Sequence, residues 1–294
     1  MKAEKKGLFS GLEGQFRGQN CHCKELRKGF RVARANRHYI PGCVWHITHR
    51  CHKKEFLLRF ARDRRRWLQW LFEGKKRFGT CILNYAVTSN HIHLLVKDGQ
   101  EREVIPQTIQ LMAGRTGQEY NRRKNRRGAF WEDRYHATAV EAGQHLIQCM
   151  GYIDLNIVRA SVVTHPSEWP FSGYNEIQTP RQRYSLIDHE SWMDLLDIRS
   201  MEELKRSYRE WVGEWLSRRD HGREPRWTES IAVGSEVFVE RTKAELGIKG
   251  IGREVSGEDG VYELRERGIP YEANFAGENA GLRSRNTYFW NISA

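Results

Sequence analysis

A short apolar run at residues 91–97, HIHLLVK, carries two histidines one residue apart. Side chains on a β-strand alternate between faces, so His91 and His93 project together, about 6.5 Å apart. Ile92, Leu94 and Val96 then take the other face and need a core. A chain built around this strand must cover one side of a sheet with helices and satisfy two imidazoles on the other, because unpartnered polar groups in an apolar setting cost several kcal/mol. Two parallel imidazoles on a rigid strand suit one divalent metal ion. The plain alternative is a pair of polar residues near a strand end. About sixty residues later a helical segment, HLIQCMGYIDLNIVRA, places Tyr152 and Asn156 four positions apart, on one face. Gln148 lies one turn earlier. A tyrosine beside a metal-bound phosphate is a nucleophile for phosphodiester chemistry that conserves the bond as phosphotyrosine.

The surrounding pattern gives the topology. After the Pro41-Gly42 turn signal, CVWHITHR alternates as a strand. Residues 59–78 read as an amphipathic helix, CILNYAVTS as a second strand, and Ser89-Asn90 as the turn of a hairpin into HIHLLVKD. A helix from about Ile105 to Arg123 leads through NRRKNRRG to YHATAVEA, a fourth strand, and then to the tyrosine-bearing helix. Strand, helix, strand, strand, helix, strand is the order of a ferredoxin-like split βαβ core in an α+β fold, with an antiparallel sheet and helices on one face. The added helix is then free to lie on the histidine face. Three regions are expected: a basic N-terminal arm at 1–36, a catalytic domain at 37–175, and a mainly helical C-terminal extension at 176–294. Within that extension residues 200–220 and 235–247 read as helices, and the last forty residues give no clear pattern.

Charge points to the partner. With 49 Lys and Arg against 37 Asp and Glu, the chain carries +12, which favours a polyanion. No apolar stretch is long enough to cross a bilayer and no signal-type segment begins the chain, so a cytoplasmic protein with reduced thiols and no membrane partner is expected. The tract Arg122, Arg123, Lys124, Arg126, Arg127, with Arg134 shortly after, is the candidate DNA-binding patch. Phe130 and Trp131 beside it suggest base stacking in addition to phosphate contact. Arg62, Arg64, Arg65 and Arg66 form a second cluster that reads equally well as a solvated helix face. Tyr120, beside the basic tract, is the rival tyrosine; Tyr85 and Tyr135 read as core or rim. Cys21, Cys23, Cys43, Cys51 and His52 lack the paired CxxC spacing of a structural zinc site.

Four motifs in order give a family resemblance. YAVTSNHIHLLV resembles the His-apolar-His ("HUH") motif of single-tyrosine transposases. GYIDLNIVRASVV followed by SEWPFSGY resembles their nucleophile segment. RHYIPGCVWHITHR and GAFWEDRYHATAVE are similar to the REP-associated tyrosine transposases among them. The resemblance spans about residues 37–175. It implies Tyr152 as nucleophile, His91, His93 and Asn156 as ligands of Mg²⁺ or Mn²⁺, and a single-stranded or hairpin DNA substrate joined through its 5′-phosphate. It also implies a monomer or a homodimer. Two departures stand out: Ile157 replaces a proline found after the asparagine in many relatives, and CHKKEF replaces a stretch usually richer in glycine and asparagine. A hairpin-binding protein without catalytic activity is the competing expectation.

Overall fold

The computed structural model describes residues 39–217 and 222–266. The basic arm at 1–36, with Cys21 and Cys23, lies outside the described residues. The chain enters through the Pro41-Gly42 turn, where Gly42 takes the positive φ of 74° that proline-glycine turns require. It then forms β1 (Val44–Arg50), α1 (Ala61–Phe78), β2 (Cys81–Val87), β3 (His91–Lys97), α2 (Val104–Lys124), β4 (His136–Val140) and α3 (Gln144–Asp154). A single turn, α4 (Asn156–Arg159), continues α3 after a break at Leu155. Beyond it come α5 (Tyr174–Gln178), α6 (His189–Leu196), α7 (Met201–Ser217), α8 (Arg226–Glu229), β5 (Ala232–Gly234), α9 (Glu236–Glu245), β6 (Arg253–Glu258) and β7 (Val261–Glu266).

The sheet order is β2-β3-β1-β4-β5-β7-β6. Its first four strands pair antiparallel in the ferredoxin-like order expected from the sequence. Register fixes the two faces. Thr48 lies opposite His93 and Arg50 opposite His91, so His46, Thr48, Arg50, His91 and His93 share one face. His49 lies opposite Ile92, on the other face, and stacks on Trp131, whose indole N–H donates to the Ala113 carbonyl of α2. The helix pair α1/α2 therefore covers the Ile92, Leu94 and Val96 side, where Ile47, Leu94 and Val96 are fully buried. In α1 the stripe Trp67, Leu71, Gly74 faces inward at helical spacing. The Gly74 position admits Thr108 of α2, whose methyl would lie 2.8 Å from an added Cβ.

The tyrosine helix α3 packs on the histidine face, as the ring contacts of Tyr152 with His46 and His93 show. Segments after the tyrosine helix close both ends of the four-stranded core. Residues 171–173 hydrogen-bond to the free edge of β2 through Val87 N–H to Phe171 O and Gly173 N–H to Tyr85 O. At the other end β5 pairs parallel with β4, and β7 and β6 continue the sheet. The described part of the extension is mainly helical, as expected, with three short strands that the sequence reading did not separate. Strands β6 and β7 escape a pattern reading because their side chains are charged and β6 is largely exposed, which leaves no apolar alternation to detect. The expected helices at 200–220 and 235–247 are α7 and α9; the Ser235 hydroxyl caps α9 by accepting from Phe238 N–H. Among the described residues no helix is long and apolar enough to cross a membrane.

Candidate active site

His91, His93, Tyr152 and Asn156 line one cleft of about 850 Å³ on the histidine face. Strand β3 sets the two imidazoles with ring centroids 4.9 Å apart, nearly perpendicular. Helix α3 brings the Tyr152 ring to 5.8 Å from His93 and 6.1 Å from His46. The break at Leu155 leaves the i, i+4 relation intact. Leu155 N–H donates to Gly151 O at 2.9 Å and Arg159 N–H to Leu155 O at 2.8 Å, so Asn156 follows Tyr152 on the same side even with Ile157 after it. Gln148, one turn earlier, is exposed and does not line the cleft.

Each ring nitrogen has a definite environment. His91 Nδ1 faces the Thr88 hydroxyl at 3.0 Å and the Asn90 side-chain oxygen at 2.7 Å. The Asn156 side chain is a further hydrogen-bond partner of the ring. His93 is 2 % exposed, with Nδ1 2.9 Å from His46 Nε2. His93 Nε2 is buried and has no hydrogen-bond partner. Burial, reinforced by Arg50, pushes the His91 pKa down to about 4; burial, then His91 and His46, hold His93 well below its ordinary value. Both rings are therefore neutral at pH 7 and offer lone pairs.

Tyr152 is 5 % exposed, and burial raises its phenol pKa. Arg159, Arg223 and a hydrogen bond with Thr228 act in the opposite direction. Arg50, Lys54, Arg134, Arg159 and Arg223 face the cleft against the carboxylates Glu132 and Asp133, which leaves an excess of positive charge where a phosphodiester would sit. Among the described residues no three His, Cys, Asp or Glu side chains converge as a metal site, and Asn156 lies in the cleft with the two histidines. The donor set of two neutral imidazoles and one amide oxygen fits a divalent ion that keeps its remaining positions for water or phosphate.

The basic tract divides. Arg134 lines the tyrosine cleft. Arg122 and Arg123 instead border a second groove of about 420 Å³ with Arg62, Arg65 and Arg66, on the α1/α2 side of the sheet. Arg123 is ion-paired with the buried Asp63, and Arg66 is held by both oxygens of Glu119. Arg126 donates to Ala129 O at 2.8 Å and lies 3.5 Å from Glu55. Lys124 sits over the Phe60 ring, and Arg127 is exposed. The base-stacking expectation for Phe130 and Trp131 is not met. Phe130 is buried against Tyr120 and would lie 3.1 Å from a Cβ at Gly117, and Trp131 is half-buried between His49 and α2. Tyr120 packs on Phe130 beneath Arg123, away from the histidines. His46, Arg159, Arg223 and Trp227 belong to the site and were not singled out from the sequence. Of these, Arg159 alone had a local signal, seven residues after Tyr152 on the same helical face.

With this geometry in place, comparison with known proteins is informative. Residues 39–156 match the family described as Transposase IS200 like. That segment of the chain is similar to IS200-like transposases. The matched segment contains His91, His93 and Tyr152 and ends at Asn156. The matched segment coincides with most of the region, about residues 37–175, whose motifs resemble single-tyrosine transposases. No curated protein matches the chain. Among solved structures, that of a REP-associated tyrosine transposase bound to a REP hairpin is similar, at 16 % identity over 51 % of this chain and 91 % of that one, with a TM-score of 0.41.

Proposed function

We propose that the cleft is the active centre of a metal-dependent endonuclease and strand transferase acting on single-stranded or hairpin DNA, with Tyr152 as nucleophile and His91, His93 and Asn156 as ligands of Mg²⁺ or Mn²⁺. The observation that carries this reading is the buried, unpartnered Nε2 of His93, in the same cleft as His91, Asn156 and the Tyr152 ring. A buried nitrogen lone pair without a donor is costly unless something accepts it. His91, His93 and Asn156 would hold a divalent ion, which would supply polarisation of the scissile phosphate and offset the charge developing on it.

The chain's own residues supply the rest. Tyr152 Oη loses its proton and forms a bond to phosphorus, while the bond to the 3′ oxygen breaks and that oxygen takes up a proton. The DNA is left joined through its 5′-phosphate to the enzyme, and attack by another 3′ hydroxyl reverses the step with no outside energy source. Arg159 and Arg223 favour the phenolate that burial disfavours. Arg134 and Arg50 hold the phosphate backbone at the cleft, and Arg122 and Arg127 extend contact to the outer surface.

Labelled hairpin DNA incubated with the protein and Mg²⁺ or Mn²⁺ and run on a denaturing gel tests this. Cleaved strand and a protein-linked band, both absent in Tyr152→Phe, support the reading. The competing reading, a hairpin-binding protein without catalysis, draws on the near-complete burial of the phenol. It predicts retained, salt-sensitive binding with intact DNA across a broad hairpin set.

A further inference from the structure

His46 has a use that the proposed chemistry leaves open. Its ring is fully buried on the histidine face of the sheet, nearly parallel to that of His93 at 5.1 Å between centroids. His46 Nδ1 lies 2.8 Å from the main-chain carbonyl of Trp227 in α8. His46 Nε2 lies 2.9 Å from His93 Nδ1. A carbonyl only accepts, so the proton must sit on His46 Nδ1. The ring is fully buried and its two nitrogens meet the Trp227 carbonyl and His93, with no carboxylate at either, so an imidazolium is unfavourable there and Nε2 of the neutral ring is an acceptor. The only proton left for the 2.9 Å contact is the one on His93 Nδ1. That places the His93 lone pair on Nε2, the nitrogen with no partner.

We infer that His46, oriented by the Trp227 carbonyl of the C-terminal extension, is a positioning residue that locks His93 as its Nδ1–H tautomer and so presents Nε2 as a metal ligand. This rests on the metal reading above and deepens it. The opposite proton arrangement, His93 protonated on Nε2, would put an N–H where a cation must bind. Partners in this outer position commonly fix the tautomer and ring orientation of a metal-binding histidine. Here the partner is itself a histidine, and its own partner comes from residue 227. The extension is thereby tied to the matched segment at the metal-binding residue as well as along the sheet. Thr228 and Arg223, which border the same cleft, come from the same segment.

The test uses the full-length protein labelled with ¹⁵N-histidine. Long-range ¹H–¹⁵N correlation spectra in the absence of metal should show both His46 and His93 protonated on Nδ1. Titration with Mn²⁺ alone should then show an affinity that falls about 10- to 100-fold in His46→Leu, in the range for loss of an outer partner. His46→Gln, whose amide can donate to Trp227 O and accept from His93, should recover most of it. His93 protonated on Nε2 in the wild-type protein overturns the inference, even if His46→Leu does not fold. So does an unchanged Mn²⁺ affinity in a folded His46→Leu. A different result marks failure of the underlying metal reading: Mn²⁺ binding by the wild-type protein that His91→Ala leaves unaltered.

Discussion

The guanidinium of Arg159 lies 4.3 Å from the centre of the Tyr152 ring and donates to the Tyr152 carbonyl at 2.5 Å. One side chain thus holds the backbone of the Tyr152 turn and places a cation beside the phenol. Burial raises the phenol pKa, and Arg159 is the first of the charges that pull it back. Replacing Arg159 with Gln removes that charge, so the Tyr152 pKa rises further and less phenolate forms at any given pH. Adduct formation should slow, and the rising limb of its pH–rate profile should move to higher pH. A slower reaction with an unmoved profile would confine Arg159 to phosphate binding or backbone support.

Asp154, two residues after Tyr152, anchors the same helix. Its carboxylate is fully buried, receives hydrogen bonds from Tyr208 of α7 and Asn84 of β2, and has a pKa raised to about 7 by burial. The unfolded chain ionises this group near 4, so between about pH 4 and pH 7 the folded state holds the proton more tightly. The stability it contributes is fully present below pH 4 and is lost as pH rises through 7. Asp154→Asn should flatten that part of the stability–pH curve, measured by urea melts at pH 4.5, 6 and 7.5. Equal slopes in both proteins would mean that Asp154 is ionised throughout.

How much of this was legible in the sequence depended on range. The alternation in HIHLLVK and the i, i+4 spacing of Tyr152 and Asn156 are local, so the strand, the helix and the shared face of each pair could be read directly. The meaning of His46 depends on a carbonyl 181 positions away, and no local pattern encodes that. Phe130 and Trp131 follow five cations and look like surface residues, but they fill the space between α2 and the sheet. Strands β5 to β7 are short or charged and gain their identity only by pairing with β4 and each other.

The division of the basic tract gives opposite outcomes for adjacent arginines. Arg122 is exposed at the groove between α1 and α2, whereas Arg123 neutralises an aspartate that is almost fully buried. Arg122→Gln should leave the melting temperature unchanged. It should lower the slope of log affinity against log salt by about 0.7 to 0.9, the effect of one phosphate contact. Arg123→Gln should destabilise the fold by about 1–3 kcal/mol because Asp63 is left buried without its partner. Thermal melts and DNA titrations at several salt concentrations separate the two, and identical behaviour in both assays would refute the distinction.

Gly151, immediately before Tyr152, lets α7 approach α3. A Cβ at this position would fall 2.7 Å from the Trp215 indole, closer than such contacts occur. The Trp215 ring is itself buried and meets the fully buried Tyr208 ring edge-on at 6.5 Å, so it has little room to retreat. Gly151→Ala is expected to destabilise by about 1–3 kcal/mol through overpacking, more than the gain in helix propensity returns. Because the strain sits one residue from Tyr152, adduct formation should fall along with stability. Shrinking the opposing side chain in Gly151→Ala/Trp215→Leu should restore activity toward the level of Trp215→Leu alone. A double variant whose losses simply add would place the cause elsewhere than in this contact.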